Sequence, residues 1–138
     1  MDNKALNYLS LARKAGKAEL GEEPVNGITR ALKADLVIVA ADASDHTWRR
    51  ANSFVAGTNQ KCLRLPFTKA ELGFAIGRQE LASAAFTDAA LALSFVKALG
   101  QPEKHQAVLE ALEARVAYVR QRQKEAKAHR RNVRKGKK

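Results

Sequence analysis

Five consecutive apolar residues, LVIVA at positions 36–40, constrain the fold of this chain more than any other segment. The run is continuous and rich in β-branched side chains, which is typical of a strand covered on both of its faces. Shorter segments at 61–65 and 81–86, together with one at 17–20, are also predicted to be strands. A sheet built from such strands needs a layer of other structure on each face.

Amphipathic segments alternate with the strands and supply those two layers. One of them begins with a capping box, in which Thr68 and Glu71 satisfy each other's backbone N–H groups. Another has two glutamates and Pro24 at its start, where acidic residues suit the helix dipole and the missing N–H of a proline costs nothing. The alternation predicts a three-layer α/β/α domain with a small, mostly parallel sheet. Helices are predicted at 3–15, 23–33, 45–55, 68–77 and 88–99.

Charge is distributed unevenly along the 138 residues, which carry 25 Lys and Arg against 14 Asp and Glu, a net charge of +11. Residues 1–100 hold 13 of the basic and 10 of the acidic side chains, whereas residues 101–138 hold 12 basic and 4 acidic ones. The composition changes where Gly100 and Pro102 interrupt the chain. We therefore predict a nearly neutral globular domain over 1–100 and a basic helical extension over 101–138.

The extension consists of an apolar seam followed by a basic tail. Leu109, Leu112, Val116 and Val119 recur at intervals of 3, 4 and 3 residues, which predicts a helix with one apolar face. Beyond Arg120 this face ends, and the rest is predicted to be a flexible, solvated tail. Its charges would repel one another without a polyanion, so the tail is predicted to contact nucleic acid phosphates. The candidate residues there are Arg130, Arg131, Arg134 and Lys135.

The sequence contains no enzyme, cofactor or metal signature. His46, His105 and His129 are far apart, and none has a Cys or His neighbour at metal-ligand spacing. The single cysteine, Cys62, lies in a predicted strand, where a buried thiol is expected, and it suits a reducing cytoplasm. No apolar run reaches the roughly 18 residues of a membrane span, and the N-terminus lacks the pattern of a secretory signal. A cytoplasmic protein that binds nucleic acid is predicted ahead of one that binds an anionic membrane.

Two features allow both a functional and a structural interpretation. Trp48 lies beside Arg49 and Arg50 and can stack on a base, but its position on an apolar helical stripe favours a place in the core. Asp42 and Ser44 follow the carboxyl end of a central strand, where α/β sheets often bind ligands, although a turn and a helix cap explain them more simply. Neither feature decides the function by itself.

Three stretches of sequence occur in a recognisable order: LARKAGK followed by GEE, then LVIVAADAS, then TKAELGFAIGR. In this order they resemble the kink-turn-binding ribosomal protein family of the L7Ae/L30e type, over about residues 3–100. The resemblance implies an α/β/α sandwich with a mixed, four-stranded sheet. It also implies a non-enzymatic protein that binds structured RNA, such as ribosomal or kink-turn RNA.

The family binds RNA at the start of its second helix, through a Gly-x-Asn-Glu stretch followed one turn later by a lysine. Here Gly21 keeps the glycine, whereas Glu23, Pro24 and Gly27 stand at the Asn, Glu and Lys positions. A second family contact, in the loop after the LGxAxG pattern, remains polar in this chain. The resemblance therefore implies an RNA site with fewer base-reading side chains. Its candidate residues are Lys17, Gly21, Glu22, Glu23, Asn26, Arg30 and Lys33 on one side, with Arg78 and Gln79 on the other.

Two other functions remain open from the sequence alone. In the first, the apolar seam from Leu109 to Val119 docks on a protein partner or on a second copy of the chain, and the RNA site is vestigial. In the second, the chain is a stand-alone relative of the substrate-recognition domains that are fused to RNA methyltransferases.

Overall fold

The computed structural model describes residues 3–136, which form six helices around a sheet of four strands. In chain order the elements are α1 (Lys4–Lys14), β1 (Ala18–Leu20), α2 (Glu22–Arg30), β2 (Leu36–Val39), α3 (Asp45–Val55), β3 (Cys62–Arg64), α4 (Lys69–Ala75), β4 (Ser83–Phe86), α5 (Ala89–Leu99) and α6 (Gln106–Gly136). Each predicted strand and helix therefore has a counterpart, with bounds that differ by a few residues.

The four strands form a mixed sheet in the order β1-β4-β2-β3. β2 and β3 are parallel, with Val37 paired to Cys62, whereas β4 is antiparallel to both of its neighbours. The mixed sheet that the family resemblance implied is confirmed. The mostly parallel sheet predicted from the alternation of strands and helices is wrong.

The direction of β4 follows from the short connection before it. α3 has 11 residues and carries the chain from the end of β2 back to the start of β3, as a parallel pair requires. α4 has only 7 residues, and after it the chain is still at the edge of the sheet where β3 ends. At that edge the Leu81 N–H donates to the Lys69 carbonyl over 3.0 Å, and the Ala40 N–H donates to the Ala82 carbonyl over 2.9 Å. β4 therefore starts where β2 and β3 end.

The core lies around β2, which is covered on both faces as predicted. All four of its residues, Leu36, Val37, Ile38 and Val39, are completely buried. α1 packs against α4 and α5, and α2 packs against α3, so that the helices form two groups. Burial of this continuous apolar run contributes hydrophobic stabilisation to a sheet of four short strands.

The helix starts follow the capping rules that the sequence indicates. Ser44 and Asp88 each accept a hydrogen bond from the backbone at the start of α3 and α5. Thr68 and Glu71 form a complete capping box at the start of α4, with bonds of 3.0 and 3.1 Å. Pro24 is the third residue of α2 rather than the first, which still leaves its missing N–H within the unpaired first turn.

The sequence predicts a flexible tail beyond Arg120, but α6 is continuous from Gln106 to Gly136. The second half of this helix is rich in Lys and Arg and also contains Gln and Ala, all of which are strong helix formers. Extending a helix that packing has already nucleated costs far less than starting a new one. Residues 137 and 138 and the side chains of residues 134–136 lie outside the described part of the chain.

The apolar seam of α6 packs against α5 of the same chain. Leu112 and Val116 are buried, and Leu109 packs against the core. Val119 lies beside the first turn of α5. The seam is thus covered by the protein's own domain. It does not offer the uncovered face that docking on a partner through Leu109, Leu112, Val116 and Val119 would need.

Candidate nucleic-acid interface

The start of α2 is fixed beside the start of β4. Gly21 precedes the helix with a φ of 97°, a conformation that glycine adopts without strain. The Gly21 N–H donates to the Ser83 carbonyl over 2.9 Å. Because Val25 donates the first intrahelical bond and Pro24 has no N–H, the backbone donors at this end belong to Glu22 and Glu23. This helix start therefore presents two N–H groups to a ligand.

The loop after α4 lies at the same edge of the sheet. Arg78, Gln79 and Glu80 are exposed in this loop, which leads directly into β4 beside Gly21. The Arg78 N–H donates to the Gly73 carbonyl over 2.8 Å, and this bond ties the loop to α4. The structure thus brings together the two contact regions that the family resemblance implied.

An arginine from α3 adds a cation to this edge. Arg50 Nε lies 2.8 Å from Glu22 Oε1, and the guanidinium carbon is 5.2 Å from the centroid of the Phe54 ring. The two charged side chains are 42% and 43% exposed, so the pair lies at the surface. We call the following residues the α2-head surface: Gly21, Glu22, Glu23, Arg50, Arg78 and Gln79.

Arg50 is not among the site residues that the sequence predicts. In the sequence, Arg50 stands out only as a neighbour of Trp48 on the same helix. The acidic start of α2 and the basic pair at positions 49 and 50 are both visible in the sequence. Their contact is not, because it depends on the packing of α2 against α3.

Gly73 holds the loop of the α2-head surface in position. A Cβ at this residue would lie 2.8 Å from the Arg78 carbonyl oxygen and 2.8 Å from the backbone N and Cα of Glu80. Gly73→Ala should therefore displace the loop and lower the free energy of unfolding by about 1–3 kcal/mol, the usual cost of overpacking. Thermal unfolding and amide exchange at Arg78 measure the two effects.

Gly27→Ala is the matched control for this substitution. Gly27 is an exposed residue of α2, and nothing lies within 4 Å of a Cβ built there. Alanine at this position should stabilise the helix by up to about 1 kcal/mol. Equal effects of the two substitutions would contradict the role given to Gly73.

Three of the predicted site residues lie at the opposite end of the domain. Arg30 is the last residue of α2, about 12 Å along the helix axis from its start, and Lys33 follows it. Lys17 precedes β1, and its carbonyl accepts a hydrogen bond from the Thr87 N–H just beyond β4. Asn26 lies between the two ends and is half-buried. The α2-head surface therefore excludes Lys17, Asn26, Arg30 and Lys33.

The positions at which this chain departs from the family pattern all face solvent. Glu23, Pro24 and Gly27 are exposed on α2. α2 consequently carries no cation before Arg30 at its far end. At the α2-head surface, positive charge comes from α3 and from the loop after α4 instead.

The predicted tail residues belong to α6. Arg130 and Arg131 are exposed, and Arg130 Nε donates to the Ala126 carbonyl over 3.4 Å. The backbone of Arg134 and Lys135 is helical, and their side chains lie outside the described part of the chain. Arg130 and Arg131 lie in the exposed second half of α6, whereas α6 packs against α5 through its first half.

Other groups considered in the sequence have structural surroundings. Burial raises the pKa of the Cys62 thiol to about 12, so the nucleophilic thiolate is not populated at neutral pH. Asp42 Oδ1 accepts a hydrogen bond of 2.8 Å from the Lys69 N–H at the start of α4. The Arg64 guanidinium lies 4.9 Å from the Trp48 ring centroid, and Trp48 is half-buried. One face of this indole is thus already occupied.

Two further kinds of site are absent from residues 3–136. No group of three or more His, Cys, Asp and Glu side chains in this range could hold a metal ion. No helix in the range is both long enough and apolar enough to cross a membrane.

Known proteins resemble this chain in sequence and in fold. The RNA-binding protein YlxQ of Enterococcus faecium is 37% identical over 75 residues, which cover 54% of this chain and 72% of that protein. This chain belongs to the L7Ae/L30e family. The family resemblance predicted from the sequence is thereby confirmed. No known protein-family profile matches the chain.

Two solved structures share the fold of this L7Ae/L30e protein. A Bacillus halodurans protein of unknown function is 26% identical with a TM-score of 0.66, and the match covers 71% of this chain and 98% of that one. The Giardia lamblia 15.5kD RNA binding protein is 19% identical with a TM-score of 0.58, and the match covers 76% of this chain and 87% of that one. The second likeness concerns the fold alone.

Proposed function

We propose that this L7Ae/L30e-family protein is a non-enzymatic protein that binds structured RNA of the kink-turn or ribosomal kind through its α2-head surface. The observation that carries the proposal is the meeting of a helix start with an exposed polar loop at one edge of the sheet. Both regions correspond to the contact regions of the family. The name of YlxQ as an RNA-binding protein supports the same ligand class.

The charges of the α2-head surface fit RNA in two ways. Arg50 Nε pairs with Glu22. The other guanidinium nitrogens of Arg50 donate no hydrogen bond to any of the described residues. An arginine oriented in this way suits a phosphate. Glu23, exposed beside it, can accept hydrogen bonds from the edge of a guanine.

The proposal also assigns roles to the rest of the chain. Residues 1–100 form the RNA-recognising domain, and residues 101–138 form an extension whose cations contact phosphates. The predicted compartment is the cytoplasm, because a chain with a single cysteine forms no internal disulfide and suits a reducing environment. The protein-interaction alternative is not favoured, because the apolar seam on which it depends packs against α5.

Filter binding at about 100 mM salt tests the proposal. The protein should prefer a kink-turn RNA to a single-stranded competitor of the same length. Arg50→Gln should lower the affinity for the kink-turn about tenfold, as expected for one charge-assisted hydrogen bond. Arg49→Gln removes the same charge from an exposed neighbour outside the α2-head surface and should have a much smaller effect. Equal binding of structured and single-stranded RNA would refute the proposal.

A further inference from the structure

The basic half of α6 leaves the domain at the end opposite the α2-head surface. β4 starts beside Gly21 and runs away from that surface, α5 returns toward it, and α6 again runs away along α5. Two contacts mark this last direction. Arg115 pairs with Asp35, the residue just before β2, at 3.3 Å. Arg120 and Gln123 lie beside Asp88 at the start of α5.

Beyond Gln123 the helix projects into solvent. Every residue from 124 to 133 is exposed. From Gln123 to Gly136 an α-helix advances about 20 Å, so the projection is longer than any of the helices α1 to α5. The near end of this projection is already separated from the α2-head surface by the length of α2, about 12 Å.

One face of α6 carries a row of cations that begins at Arg120, beside the domain, and continues along the projection. Arg120, Lys124, Lys127 and Arg131 are spaced by 4, 3 and 4 residues, which places them on one stripe about 16 Å long. The acid of this segment, Glu125, lies on another face and pairs with Arg122 at 3.8 Å. We call these four cations the α6 stripe.

The composition of the projection favours nucleic acid over a lipid surface. A helix that lies on a membrane needs a broad apolar face opposite its cations. Between residues 121 and 133, the large apolar side chains are limited to Val133. A polar helix with a row of cations matches a phosphate backbone, which offers a regular series of negative charges.

We infer that the protein holds two separate stretches of RNA backbone at once, one at the α2-head surface and one along the α6 stripe. The inference rests on the proposed function, since the first stretch is the structured RNA of that proposal. The two surfaces lie at opposite ends of the domain, so a compact RNA motif bound at one end leaves the other accessible. The protein is therefore a connector between RNA segments, and avidity arises when both segments belong to one molecule.

Native mass spectrometry of the full-length protein tests this inference with two RNAs. The first is a kink-turn RNA with short stems, and the second is a plain RNA duplex. The wild-type protein should form a complex containing one copy of the protein and one of each RNA. A variant with Arg120, Lys124, Lys127 and Arg131 all replaced by Gln should lose the duplex and retain kink-turn affinity within about twofold.

A charge-matched control distinguishes the effect of losing the α6 stripe from the effect of lowering the net charge. Replacing Lys4, Arg13, Lys14 and Lys97 by Gln removes four exposed cations from α1 and α5 and should leave the three-component complex intact. Displacement of the kink-turn RNA by the duplex would overturn this inference but not the proposed function. A three-component complex that still forms after the four α6-stripe cations are replaced would also overturn the inference. Binding of the duplex without any binding of the kink-turn would overturn the proposed function and the inference with it.

Discussion

Ending the chain after Gln123 should weaken binding to every RNA tested and flatten the plot of log affinity against log salt by about 3 to 4 units. The truncation removes eight cations and one acid. Each phosphate that a cation neutralises contributes about 0.9 to this slope for a duplex and about 0.7 for a single strand. If about half of the eight cations each neutralise one phosphate, the slope changes by this amount.

The change in slope has a large consequence for affinity. Between about 50 and 200 mM salt, the affinity of the full-length protein should fall roughly 10²-fold more than that of the truncated one. Filter binding with a kink-turn RNA whose stems are long enough to reach α6, an unrelated duplex and a single strand measures this directly. The effect should be similar for all three RNAs, because phosphate contacts carry no sequence information.

The truncation point is chosen so that the domain itself stays intact. Arg120 and Gln123 lie against the start of α5, whereas all residues from 124 to 133 are exposed. The melting temperature should therefore change little. As a control, a full-length variant with Lys124 and Lys127 changed to Arg, and Arg130 and Arg131 changed to Lys, keeps every charge and should keep the wild-type slope. Unchanged affinity after truncation would contradict the role assigned to the tail.

Restoring the family pattern on α2 should raise the specificity for a kink-turn and change the salt dependence of binding little, in contrast to the truncation. The variant combines Glu23→Asn, Pro24→Glu and Gly27→Lys. Each good base contact discriminates by about 1–3 kcal/mol, so two recovered contacts should raise the preference for a kink-turn over an unrelated duplex by roughly 10²–10⁴-fold. Competition binding between the two RNAs measures this ratio.

The structure accepts these three substitutions without strain. All three positions are exposed, and a Cβ at Gly27 meets nothing within 4 Å. Removing Pro24 also restores a backbone N–H at the helix start, and removing Gly27 improves helix propensity by up to about 1 kcal/mol. The variant gains one net positive charge, so Asn7→Lys on exposed α1 serves as the charge control. A wild-type domain that already binds a kink-turn at nanomolar strength would contradict the prediction that its base contacts are reduced.

Local features of the fold were predictable because each is encoded within a few neighbouring residues. The buried strand β2 follows from one continuous apolar run, and its four residues are completely buried. The capping box of Thr68 and Glu71 follows from a spacing of three residues. The covered face of α6 follows from a repeat that holds Leu112 and Val116 on one side of a helix. The family followed from the order of three such stretches.

The candidate site was predictable in part. The family pattern located Gly21 and the loop from Arg78 as contact regions, and the structure brings these two regions to one edge of the sheet. Lys17, Arg30 and Lys33 were also predicted to line the site, and all three are close in sequence to the start of α2. A helix of nine residues separates its two ends by about 12 Å, so closeness in sequence did not become closeness in space.

The sequence by itself determined which segments are strands and helices, which faces are buried and where the positive charge lies. Only the tertiary structure decided the direction of β4, the pairing of Arg50 with Glu22 and the exit of α6 at the end opposite the α2-head surface. The physical reason is the range of the interactions. Periodicity and capping act between residues a few positions apart, whereas these three features depend on contacts between segments that are 28 to 80 residues apart, or on the edge at which the chain re-enters the sheet.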